Sequence, residues 1–107
     1  VKSQDYWVSD MPQKGQLKDM DAWEQEIRDN AEYYTTIAFQ PRRGQIPLTS
    51  FERLDMAIAY AQATMQEVTN RYRCVMVYAI NEDGRHALCG TVNQFDKAWK
   101  PVVPQTY

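Results

Sequence analysis

One apolar stripe constrains this chain more than any other feature. Across residues 49–72, Phe51, Leu54, Ile58, Ala61, Met65, Val68 and Tyr72 recur at alternating steps of three and four. That spacing lines them up along one side of an α-helix. Glu52, Asp55, Gln62, Gln66 and Glu67 fall on the other side. Thr49, followed three residues on by Glu52, fits a capping box, in which each side chain satisfies an amide of the first turn. Glu67 and Arg71 add an i, i+4 pair near the far end. A helix over 49–72 with one apolar side needs a platform, and β-forming runs flank it.

The run before it, 33–40, is rich in β-formers and is stopped by Pro41. The run after it, 73–80, is the strongest strand signal: Cys74 to Ile80 is unbroken apolar sequence, as in a strand buried on both faces. Asn81-Glu82-Asp83-Gly84 marks a turn, and 85–92 returns as the second arm of a hairpin in which Gly90 signals a bulge or a close approach. A short helix is predicted over 21–32, capped by Asp21 and Glu24, with Trp23, Ile27 and Ala31 inward. The prediction is an α+β domain. Its small three-stranded sheet is built from a strand, the long helix and then the β-hairpin. The long helix covers one face, and the short N-terminal helix precedes it. Leu54, Ile58, Ala61, Met65, Ile37, Phe39, Met76 and Tyr78 are expected to be buried. Residues 1–15 read as an extended arm, 16–92 as the core and 93–107 as an extended tail, all within a single domain.

Composition supports a packed core, with 44% apolar and 12% aromatic residues in 107. The net charge of −2 hides an asymmetry: residues 1–32 carry four basic and eight acidic side chains, and residues 33–107 carry eight basic and six acidic. No apolar run approaches the length of a bilayer span, so no membrane partner is expected. The chain begins with Val, so a removed leader stays open. Cys74 and Cys89 lie on the two hairpin strands but not opposite each other, so no disulfide is expected. Free thiols favour a reducing compartment, hence a cytoplasmic location in the producing or host cell. One histidine and two separated cysteines do not make a zinc site, and no cofactor is expected.

Catalysis has no specific support. His86, the single histidine, has no base or carboxylate partner in a triad-like pattern, and it reads as a surface strand residue. No catalytic residue is assigned. Two binding patterns remain. Tyr6, Trp7, Trp99 and Tyr107 concentrate aromatic area in the arm and tail, where core demand is lowest, and such residues anchor protein interfaces. Arg42, Arg43, Arg71, Arg73 and Arg85, with Tyr34 and Tyr72 (and Tyr33), hold the components of a nucleic-acid stacking edge. The plain alternative for those arginines is a solvated surface.

Tyr34-Thr35-Thr36-Ile37 with Phe39, then Ser50-Phe51, then Val77-Tyr78-Ala79-Ile80 with Gly84-Arg85, together resemble the strand–helix–hairpin layout of small bacteriophage proteins. The resemblance covers residues 33–92 and transfers no functional residue. It implies an accessory or host-directed binding protein, or a minor subunit of an assembly. The expectation is a small non-enzymatic protein that binds a protein partner or itself through the arm and tail aromatics. Nucleic-acid binding at the Arg/Tyr edge is the alternative.

Overall fold

The computed structural model describes residues 14–67, 69 and 71–102. The elements run α1 (Lys14–Asp29), β1 (Tyr33–Gln40), β2 (Gly44–Phe51), α2 (Leu54–Gln66), β3 (Cys74–Ile80), β4 (His86–Asn93) and β5 (Trp99–Pro101). The strands form one open antiparallel sheet in the order β2-β1-β3-β4-β5.

The three-stranded sheet expected from the sequence is therefore corrected to five strands. One missing strand, β2, spans 44–51 and overlaps the predicted helix only at its first three residues, 49–51. Residues 44–51 alternate between inward and outward positions, with Ile46 and Leu48 less exposed than Gln45, Pro47 and Thr49. This period of two competes with the period of three to four that begins at Phe51. Thr49 is a strand residue, not a cap, and α2 starts at Leu54 behind Arg53, which makes no side-chain cap bond. Gly44 and Arg42, both with φ of 78°, turn the chain from β1 into β2. Pro47 is tolerated because β2 is an edge strand. The missing last strand, β5, lies in the expected tail. The expected short helix begins earlier and ends earlier, at Lys14 and Asp29. Residues 1–13, most of the expected arm, lie outside the described residues.

The hairpin forms as its sequence requires. The Asn81 side-chain oxygen accepts from the backbone amides of Asp83 (3.0 Å) and Arg85 (2.9 Å), and Gly84 takes φ of 82°. A bulge falls between Val77 and Tyr78 in the register, with Cys89 as the extra residue of β4.

Small side chains decide where the helices sit. Ala57, Ala61 and Met65 of α2 pack on Ala38, Val75, Val77 and Val92, all buried. Register places these strand residues on one face, with Thr36, Ala79, Ala87 and Gly90. α1 lies against β4 and β3, where Ile27, Ala79 and Ala87 are buried, and Arg28 Nε donates to the Leu88 carbonyl at 2.8 Å. Both helices thus share one face. Alanine and valine beneath a helix let its backbone approach closely, and in β3 the larger Met76, Tyr78 and Ile80 are left to the other face. Ile37, Phe39, Met76 and Tyr78, expected under the long helix, are only half-buried and occupy that opposite face. On α2 the buried positions are Ala57, Ala61 and Met65, the last two as expected, while Leu54 and Ile58 are half-buried.

Thr36 repairs an interruption in the sheet. The β1–β2 ladder is irregular between Thr35 and Ile37. There the buried Thr36 hydroxyl donates to the Thr49 carbonyl at 2.8 Å and accepts from the Thr49 amide at 3.1 Å. Thr36→Val keeps the shape and strands both backbone groups. A loss of about 1–3 kcal/mol is expected in denaturant unfolding, and no loss would mean that the bulge is not held by this hydroxyl.

Candidate functional site

The candidate site is the sheet face without helices. The register arranges it in four rows across the central strands: Tyr33–Ile80–His86, Thr35–Tyr78–Leu88, Ile37–Met76–Thr91 and Phe39–Cys74–Asn93. None of these twelve residues is buried, whereas the residues between them in β1 and β3 include Thr36, Ala38, Val75, Val77 and Ala79, all with no exposure. Among the described residues no element covers this face. Its centre is apolar, and the Tyr78 ring contacts His86 edge-on with centroids 5.4 Å apart. The Tyr78 hydroxyl reaches the Met76 sulfur at 3.8 Å.

The ends of the face differ in charge. Arg42 and Arg43 in the β1–β2 turn share one end with Arg71 and Arg73, which precede β3. All four are exposed, and none makes an ion pair among the described residues. Glu32, ahead of β1, and Glu82 and Asp83, in the β3–β4 turn, mark the opposite end. Arg85 lies at this acidic end, but its guanidinium stacks 4.8 Å from the Trp23 ring centre, toward α1. A shallow depression between α1 and the β3–β4 turn is lined by Trp23, Glu26, Glu32, Glu82, Asp83 and Arg85 among others. No group of three metal-ligating side chains occurs among the described residues.

The sequence-nominated residues are scattered by the fold. Tyr6, Trp7 and Tyr107 lie outside the described residues. Trp99 is half-buried against the core in β5, its ring directly over Gly90. Arg42, Arg43, Arg71 and Arg73 come together at one end, and Arg85 is at the other. Tyr34 faces the helices, where burial, then Cys89 and Asp29, push its hydroxyl pKa up. Tyr72 packs against the core. Of the tyrosines considered for stacking, Tyr33 is on the open face and 39% exposed. The open-face residues were legible in one respect: within β3 the odd and even positions differ in size, as Val75, Val77 and Ala79 do from Met76, Tyr78 and Ile80.

The chemistry of the thiols and the histidine is unremarkable for catalysis. Cys74 and Cys89 are unpaired. Burial pushes the Cys74 thiol pKa up, partly opposed by Arg73, and burial pushes Cys89 up against a smaller opposing effect of Arg28. Both shifts disfavour the reactive thiolate. His86 is exposed and its ring meets that of Tyr78.

No helix among the described residues is long and apolar enough to cross a membrane. No family model, curated protein or solved structure matches the chain.

Proposed function

We propose that this chain is a small non-enzymatic interaction protein that binds a protein partner through the open face of its sheet. The observation behind this is the half-buried apolar cluster of Ile37, Phe39, Met76, Tyr78 and Ile80, which no described element covers. A contiguous apolar patch of this kind, rimmed by charge, is characteristic of an interaction site. The sheet edges are poorer candidates, because β2 carries Pro47 and the three-residue β5 ends in Pro101. Proline and short length both discourage strand addition. The resemblance to small bacteriophage proteins supports an accessory role of this type or a place in an assembly.

The arginine cluster beside Phe39 favours one second reading, a single-stranded nucleic acid tracking from Arg42, Arg43 and Arg73 onto the aromatic face. One comparison tests both. Wild type and an Ile37→Lys/Met76→Lys variant, matched for folding by circular dichroism, are used to capture partners from the native cell at low and high salt. Capture of a protein by wild type at both salts, and its loss in the variant, is the expected result. Equal capture by both proteins overturns the assignment to this face. Binding of a single-stranded oligonucleotide that weakens steeply as salt rises, and that Arg42→Ala/Arg43→Ala abolishes, establishes the second reading instead.

A further inference from the structure

We infer that the basic end of the sheet is a separate binding surface, on which a single strand of nucleic acid lies across the strand ends with a base stacked on Phe95. The inference rests on the nucleic-acid reading above and moves its site off the open face. Three chain segments meet at this end. Arg42 and Arg43 lie in the turn between β1 and β2, Arg71 and Arg73 lead into β3, and Phe95 and Lys97 lie in the turn between β4 and β5. Backbone hydrogen bonds join these segments. The Arg73 amide donates to the Phe39 carbonyl at 2.7 Å, and the Gln94 amide donates to the Arg73 carbonyl at 3.0 Å. In the strand order β2-β1-β3-β4-β5 the two turns flank the start of β3. The five cations therefore form a line across the sheet, about 14 Å from turn to turn at ~4.8 Å per strand. None of the five makes an ion pair among the described residues. The one carboxylate in these segments, Asp96, is taken by Lys100 at 2.6 Å.

Phe95 is what a merely solvated basic end does not explain. It is 81% exposed, the most of any large apolar residue described. Its turn holds it in water. The Asn93 side-chain oxygen accepts from the amides of Phe95 (2.9 Å) and Asp96 (3.2 Å), and an Asp96 carboxylate oxygen accepts from the Ala98 amide (3.1 Å). The backbone adds an independent sign. Arg42, with φ of 78°, and Lys97, with φ of 59°, are the two non-glycine residues with positive φ among the described residues. That region favours glycine, yet each turn places a cation there. Backbone strain of this kind gathers at functional sites.

A bare ring at the end of a line of cations fits one chemistry best. Arginine and lysine neutralise a phosphodiester chain, and a planar base covers the ring by stacking. A peptide side chain anchors by filling a pocket, and the depression between α1 and the β3–β4 turn lies at the other end of the sheet. A flat anionic membrane would have to meet Glu67, which closes α2 where that helix returns to the start of β3. A strand laid over the sheet ends alone avoids it. Arg73 continues the parity of Val75 and Val77, toward the helix side, so the line of cations does not turn down the open face.

The test uses the full chain and a fluorescein-labelled, mixed-sequence single-stranded oligodeoxynucleotide of about ten residues, read by fluorescence polarisation. Wild type is expected to bind it with a slope of about −3 in log affinity against log salt, and Arg43→Ala/Arg73→Ala is expected to make that slope shallower by about 1. Phe95→Ala is expected to lose about tenfold or more in affinity with an unchanged melting temperature, since the ring packs on little. Met76→Asp places a carboxylate on the open face, and its affinity is expected to stay within about threefold of wild type, because salt screens a charge at that distance. A duplex of the same length, whose bases are already stacked, is expected to bind more weakly. If Phe95→Ala binds as wild type does while Met76→Asp loses the oligonucleotide, the strand runs over the open face: the nucleic-acid reading stands and this inference fails. If the duplex binds as well as the single strand and Phe95→Ala is silent, the end is a charge patch without stacking, and the inference fails. If wild type ignores the oligonucleotide, both the inference and the nucleic-acid reading fail. Co-sedimentation with phosphatidylserine–phosphatidylcholine vesicles in that case, lost in Phe95→Ala, would assign the end to a lipid surface instead.

Discussion

Val77→Asp is expected to prevent folding, whereas Met76→Asp, one residue earlier, is expected to leave the monomer folded. Val77 has no exposure and sits in the cluster of Ala38, Ala57, Ala61, Met65, Val75 and Val92. A carboxylate there has no cation or donor to meet, and burying an unpaired charge costs several kcal/mol, at least about 4. The total stability of a small domain is about 5–15 kcal/mol, so the native state is lost or nearly so. Met76 belongs to the open face, where an added carboxylate stays in water. Its cost should stay within about 1 kcal/mol when unfolding is measured at concentrations where the chain is monomeric. Urea unfolding followed by far-ultraviolet circular dichroism reads both. A severe loss for Met76→Asp under those conditions would mean that the face is covered by the chain itself.

Gly90→Ala is the second large effect. A Cβ at Gly90 would lie 2.6 Å from the Lys100 carbonyl oxygen and 2.6 Å from both Cη2 and Cζ2 of Trp99. The indole occupies the space a side chain would take, and the carbonyl belongs to the β5 backbone, which cannot rotate out of the way. Gly90 is paired with Pro101, and Trp99 with Val92, so β5 is held to β4 by this close approach. Overpacking of this kind costs about 1–3 kcal/mol, and the backbone clash places the expectation near the upper end. At roughly 4–8 °C per kcal/mol for a domain of this size, the melting temperature should fall by about 10–20 °C. Amide exchange supplies a local check: the Val102 amide, which donates to Cys89 at 2.9 Å, should lose protection as β5 detaches. A methyl group accepted without either change would mean that Trp99 is not anchored on Gly90.

The arginine clusters show how far one-dimensional reasoning reaches. Arg42, Arg43, Arg71 and Arg73 are separated by nearly thirty positions, and pairing of Phe39 with Cys74 brings them to one end of the sheet. Arg85 follows β3, and a seven-residue strand carries it to the opposite end. Nothing in residue type distinguishes these five; only strand direction does.

Local chemistry by itself determined the hairpin, because the Asn81–Gly84 turn and the apolar run before it depend on neighbours in sequence. It determined that 33–40 is a strand ended by Pro41, that a helix lies between the strands, and that the domain is α+β. Tertiary structure decided the rest. Thr49 to Phe51 reads both as the start of a helix and as the end of a strand, Ile46 to Leu48 alone is too short to announce a strand, and pairing with β1 settled 44–51 as one. Trp99 to Pro101 has too few residues to announce a strand and became one because Gly90 leaves room for the indole. The face of the sheet that lies under the helices was also not set by hydrophobicity, since both faces of β1 and β3 are apolar. In the middle of the sheet volume distinguishes them: Ala38, Val75, Val77 and Ala79 let the helix backbones approach, and the larger Ile37, Met76 and Tyr78 face outward, while Tyr34, nearer the end of β1, is accommodated on the helix side.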